Sequence, residues 1–179
     1  MSALLTLSRR IDSVSRTAGL AADWCVLAAC LISAGNATVR YLFSYSSNGL
    51  LEIQWYLFGA LVFLGASHTL RENGHVRVDL VYSYVSDRTR LWIDAVGFLV
   101  FLIPVGLYLT YLCIPFFLRS FEIGEVSNNA GGLILWPIKL VLPLGFALLT
   151  LQGFSELIKR LAALRGDLTL DAHYEKPLQ

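Results

Sequence analysis

Four apolar stretches, residues 20–43, 51–70, 91–118 and 133–158, set the terms on which this 179-residue chain can fold. A helix needs about 20 predominantly apolar residues to cross a ~30 Å hydrocarbon layer, and each stretch approaches or exceeds that length. A spanning helix also satisfies its own backbone polar groups, which lipid cannot do. The expected fold is therefore an all-α membrane protein of four transmembrane helices. Composition agrees, since 56% of the residues are hydrophobic and 15% are charged, against about 25% charged in an average soluble domain.

Each stretch carries a polar interruption, but near an end, where a long side chain can reach the interface. Asp23 and Arg40 flank the first, Glu52 opens the second, Asp94 enters the third and Lys139 the fourth. The first stretch follows a long basic segment and precedes three more spans, so it reads as retained and not as a cleaved signal.

Basic residues cluster in alternate connections. Arg9, Arg10 and Arg16 precede the first span, Arg71, Arg77, Arg88 and Arg90 separate the second from the third, and Lys159, Arg160, Arg165 and Lys176 follow the fourth. The connections "SYSSNGL" and "RSFEIGEVSNNAGG" hold a single arginine and two glutamates. By the positive-inside rule both termini are expected in the cytoplasm. The net charge of +1 is small and split across the membrane, which gives no reason to expect a nucleic-acid partner.

Ahead of the first span, Leu4, Leu7, Ile11, Val14 and Ala18 recur at spacings of three and four, with Arg9, Arg10, Asp12, Ser13 and Arg16 between them. This predicts an N-terminal amphipathic helix over residues 1–19 on the membrane interface. Leu80, Val81, Tyr84 and Val85 predict a second, central interfacial helix. Gly74 is expected to separate it from the second span, and Ser86 or Asp87 to cap the third. Pro104 and Pro115 predict a tilt, kink or early stop in the third span. Pro137 fits a first helical turn, Pro143 predicts a kink, and residues 165–179 read as a mobile tail.

Few candidate chemistries survive. Cys25, Cys30 and Cys113 form no Cys-x-x-Cys, so no metal site is expected. A membrane haem wants axial ligands from facing helices, yet only His68 lies in a span, with His75 in a connection and His173 in the tail. No cofactor is expected. No hydrolase motif occurs, and no catalytic residue is assigned. Gly59, Gly65 and Ala66 offer small surfaces for close helix packing. Arg40, Glu52 and Lys139 fall at similar depth and form the one charged group to weigh, as a pair within the chain or as contacts to a partner subunit.

The stretch "EIQWYLFGALVFLGASHTLRENGHVRVDL", Glu52 to Leu80, opens with a glutamate and aromatics including Trp55, continues with a Gly-Ala pair, and leaves the span through Arg71 and Gly-His-Val-Arg-Val-Asp. Together with "WPIKLVLPLGFALLTLQGFSELIKRL", it resembles the small membrane subunit of tripartite ATP-independent periplasmic (TRAP) transporters. The resemblance implies a bacterial inner-membrane scaffold beside a large membrane subunit and a periplasmic solute-binding protein, for ion-driven uptake of organic acids or related solutes. It makes Arg40, Glu52, Trp55, His75, Arg77, Asp79 and Lys139 structural or interface candidates, with His75, Arg77 and Asp79 marking the turn onto the cytoplasmic surface. Two readings stand beside it: a membrane anchor for a redox enzyme, and a free-standing four-span packing protein.

Overall fold

The computed structural model describes residues 2–74 and 84–169. Four helices in it are long and apolar enough to cross a membrane: α1 (Ser2–Phe43), α2 (Asn48–Arg71), α3 (Asp87–Glu122) and α4 (Trp136–Arg165). They alternate in direction along the chain. One end of the bundle carries the start of α1 and the end of α4, and the other carries the connection between Glu122 and Trp136. His75, Arg77, Asp79, most of the expected central interfacial helix and residues 170–179 of the tail lie outside the described residues.

The helix ends follow local chemistry. Ser86 caps α3 by accepting from the Thr89 amide at 3.4 Å, and Pro137 stands in the first turn of α4, where its missing N–H costs nothing. At the end of α2 the Glu72, Asn73 and Gly74 amides turn back onto His68, Leu70 and Thr69, and Asn73 takes the left-handed conformation (φ 53°). The left-handed residue is thus asparagine and not the neighbouring Gly74; Asn tolerates the region better than most residues.

The proline in α3 has a visible consequence. Residues Phe98–Leu102 form a π-helical turn immediately before Pro104, and the Ile103 amide reaches back five residues to the Phe98 carbonyl. A proline ring clashes with the carbonyl four residues earlier, here Val100, and the wider turn makes room for it. Pro115 and Pro143 lie inside helices that continue past them, and Pro143 is buried.

Packing between the helices relies on small side chains, because lipid gives apolar surfaces no reason to seek one another. Along α1 the buried positions include Ser8, Ser15, Ala22, Ala29 and Asn36, one every seven residues, while Leu4, Leu7 and Val14 are about half exposed. The face turned to the bundle is therefore the small, partly polar one. Gly145 lets α4 approach the α2 backbone so closely that a Cβ there would sit 2.8 Å from the Phe63 carbonyl oxygen. Phe63 meets Phe146 edge to face at 5.4 Å beside this contact. Gly59 faces Ile138 and Gly65 faces Ala22, so two of the three expected small residues lie at helix contacts.

No break separates residues 2–19 from the first span: α1 is one helix of 42 residues, roughly 63 Å long.

Candidate functional site

Two polar clusters occupy opposite ends of the bundle. At the end away from the termini, Glu52 stands in the first turns of α2 and is 4% exposed. Its Oε2 accepts a 2.7 Å hydrogen bond from the Leu133 amide, and its Oε1 accepts from Asn129 Nδ2 at 2.6 Å and from the Ser127 hydroxyl. The connection that supplies these donors is folded on itself. Val126 bridges Ile134, the Ser127 amide donates to the Leu133 carbonyl at 2.9 Å, and the Tyr56 hydroxyl donates to the Ile134 carbonyl at 3.2 Å. One carboxylate from α2 thus holds both arms of a short loop.

The other members of the expected charged group go elsewhere. Lys139 pairs with Glu125 at the base of the same loop and lies 4.2 Å from the centre of the Phe116 ring. This ammonium holds the Glu125 carboxyl below its ordinary range. Arg40 is exposed in the last turn of α1 and has no ion-pair partner among the described residues. The structure brings Glu52 and Lys139 to one loop but pairs neither with Arg40. Trp55 points outward, 69% exposed.

The cluster at the terminal end escaped the sequence reading, which counted Lys159 and Arg160 as charges beyond the fourth span. Both belong to α4, and Arg160 is 5% exposed. Its guanidinium donates to Asp94 Oδ2 of α3 at 3.2 Å, Glu156 Oε2 at 2.6 Å and Asn73 Oδ1 at 3.0 Å, and lies 5.7 Å from the centre of the Phe98 ring in the π turn. Glu156 also accepts from Lys159 Nζ at 2.7 Å and Gln152 Nε2 at 2.9 Å. Lys159 continues to Asp12 of α1 at 2.8 Å. Asp12 accepts from Ser155 Oγ at 2.8 Å and Gln152 Nε2 at 3.0 Å, and Ser15 Oγ donates to Gln152 at 2.7 Å. A run of alternating charge, Asp12–Lys159–Glu156–Arg160–Asp94, links α1, α4 and α3, and Asn73 adds the end of α2.

A signal for this cluster stands in the sequence. Gln152, Ser155, Glu156, Lys159 and Arg160 fall at i, i+3, i+4, i+7 and i+8 of a mostly apolar helix. That is the spacing of one helical face, read for polarity where one normally reads for hydrophobicity.

Neither cluster has the composition of a metal or redox centre: no group of three His, Cys, Asp or Glu that could hold a metal occurs among the described residues. His68 packs against Gly19, where a Cβ would come within 2.8 Å of the histidine Cβ. The arrangement ties helices and a loop together and leaves apolar side chains on the outside.

Compared with known proteins, residues 29–163 match the family model for the DctQ component of the tripartite ATP-independent periplasmic transporters. None of the curated proteins or solved structures compared with the chain matches it.

Proposed function

Because this chain belongs to the DctQ family, the small component of TRAP transporters, we propose that it is the fixed membrane scaffold of a system that takes up organic acids or related solutes on an ion gradient. The observation that carries this reading is how the buried charges are used. Asp12, Asp94 and Glu156 are paired with Lys159 and Arg160, within α4 and across to α1 and α3, and Glu52 is committed to its own loop. A carrier keeps polar groups for its cargo and changes their surroundings as it moves. Here such groups are spent on holding four helices in one arrangement, which suits a stationary body beside a larger moving subunit.

On this reading the large membrane subunit carries the solute and coupling-ion sites, and a periplasmic binding protein delivers the solute. The exposed Arg9, Arg10, Arg16, Arg88 and Arg165 favour placing the terminal end in the cytoplasm and the loop held by Glu52 in the periplasm of a bacterial inner-membrane protein. The alternative, a membrane anchor for a redox enzyme, draws no support: His68 is the single histidine among the described residues, and it packs between helices.

The test is reconstitution. Vesicles holding this chain alone are expected to accumulate no organic acid under a sodium or proton gradient, and vesicles holding it with a large subunit and binding protein encoded beside it are expected to do so. Accumulation by the chain alone, or full transport without it, would overturn the scaffold role.

A further inference from the structure

The first eighteen residues of α1 are divided into three sectors. Ser8, Asp12 and Ser15 face α4 and are bonded to Ser155, Gln152 and Lys159. Leu4, Leu7 and Val14, exposed by 48%, 49% and 52%, share a second sector. Arg9 and Arg16 fall within about 20° of each other on the side opposite Leu7 and Val14, with Arg10 between the basic and apolar sectors. Protein contact thus occupies one flank of the helix, and its apolar and basic sides are both left uncovered.

The path of the helix matches. Seven residues of α1, from Ser15 to Ser8, pass only three of α4, from Gln152 to Ser155, so the two helices cross obliquely. Further along, Gly19 meets His68 and Ala22 meets Gly65, three residues for three. Because α1 is about twice as long as a ~30 Å hydrocarbon layer is thick, its first turns reach the polar boundary. Asp12, the one acid among residues 2–22, is turned inward onto Lys159, which leaves the outward arc purely basic. Arg10 and Arg16 have no ion-pair partner among the described residues, and Arg9 bonds only within its own turn.

Where α1 and α4 diverge, Arg10, Ile11, Val14, Ser15, Leu148 and Leu151 line a cleft of about 140 Å³. Its walls are apolar, and Arg10, an exposed residue, lines it with the stem of its side chain. We propose that this cleft and the arginine arc form a binding site for an anionic phospholipid: the headgroup phosphate on Arg10, with Arg9 and Arg16 adding to the positive field from the far side of the helix, and a length of acyl chain between Val14 and Leu148. Charge and shape select this occupant together. A basic arc alone would accept any polyanion and an apolar cleft alone any chain, whereas their junction at a membrane boundary fits a molecule that is anionic at one end and aliphatic at the other.

The experiment uses the full chain, delipidated in a neutral detergent and titrated with phosphatidylglycerol or phosphatidylcholine of the same chains, with bound lipid counted by native mass spectrometry. Wild type is expected to hold phosphatidylglycerol in preference to phosphatidylcholine. An arginine near an anionic headgroup changes affinity about fivefold, so the triple variant Arg9→Gln, Arg10→Gln, Arg16→Gln is expected to weaken phosphatidylglycerol on the order of a hundredfold and to leave phosphatidylcholine unchanged. Val14→Phe, which fills the cleft and keeps every arginine, is expected to weaken both lipids. Glycerol phosphate, a headgroup without chains, is expected not to compete at millimolar concentration. Equal binding of the two lipids by wild type, an equal loss of both in the triple variant, effective competition by glycerol phosphate, or undiminished binding by Val14→Phe would each overturn the site.

Discussion

Glu52 and Leu133 stand 81 positions apart, yet the Leu133 amide donates to the Glu52 carboxylate at 2.7 Å, and the loop that closes one end of the bundle is held to α2 by that bond and two more from Asn129 and Ser127. All three groups are donors. Glu52→Gln therefore does more than remove a charge, because its amide nitrogen would confront a donor that had faced an oxygen. Amide exchange over residues 125–134 is expected to accelerate by about tenfold or more, with little change in α1. Arg40→Gln is expected to leave the loop as it was, and the double variant to behave as Glu52→Gln alone. Partial rescue by Arg40→Gln would show a coupling that the structure lacks.

Arg160 is the most connected charge in the molecule's other cluster. Arg160→Met would leave Asp94 and Glu156 without their guanidinium in a water-poor setting, and breaking a buried pair this way costs about 3–5 kcal/mol. The purified chain is expected to lose most of its thermal stability in detergent. Adding Asp94→Asn should recover part of it, since one uncompensated acid is then removed. A strictly additive double variant would mean that the two do not interact.

Asn73 separates backbone from side chain at the exit of α2. Asn73→Gly keeps the left-handed turn and removes the acceptor for Arg160, at a cost of about 1 kcal/mol. Asn73→Ala loses the acceptor and also strains the turn, so it is expected to be the worse of the two by a further ~1 kcal/mol. Thermal melts of the three proteins decide this, and the opposite order would assign the residue's value to the turn in some other way.

Glu125 gives the loop a pH response. Its carboxyl lies below the ordinary value of 4.5 because Lys139 hydrogen bonds to it. A group lowered in the folded state stabilises fully above its ordinary pKa, and that stabilisation is lost as pH falls through the folded value. A fluorophore on Ala130→Cys, in a chain with Cys25, Cys30 and Cys113 replaced, is expected to report an unchanged loop around neutrality and release only below pH 4.5. Lys139→Gln should move that release upward. An onset indifferent to Lys139 would exclude the pair as its cause.

In the same cysteine-free background, the proposed orientation requires Ser47→Cys and Asn129→Cys to react with an impermeant thiol reagent outside intact cells, and Asn73→Cys and Asp167→Cys to be protected. Labelling of Asn73→Cys from outside would invert the assignment.

The four long apolar helices were legible because hydropathy is a property of whole stretches, although α1 begins as far back as Ser2 and α4 runs seven residues beyond the expected limit to Arg165. The direction in which each helix faces was not. In a soluble protein the apolar stripe marks the buried side, but here lipid accepts apolar side chains too, so the Leu4–Leu7–Val14 stripe looks outward while Ser8 and Ser15 look in. The charges misled for a related reason. Lys159 and Arg160 contribute to the positive count at their end of the chain, but their heads turn back into the bundle to meet Glu156 of their own helix and Asp12 and Asp94 of two others, and no local pattern joins those last two to them. Glu52 was noticed, and a pair with Arg40 or Lys139 was weighed for it because the three fall at similar depth, whereas backbone amides and side-chain donors of a loop 75 to 81 residues away leave no mark that spacing can reveal.

The position of Lys159 and Arg160 on the last helix bears on how the protein is made. Synthesis delivers Asp12 and Asp94 to the membrane well before the two bases that neutralise them, so a growing chain carries unmatched acids at one face until α4 is released. Any nascent product that stops short of residue 159 keeps that mismatch permanently. The final helix is therefore the one that ties the acids of α1 and α3 together, and a chain that ends short of it leaves that end of the bundle unfastened.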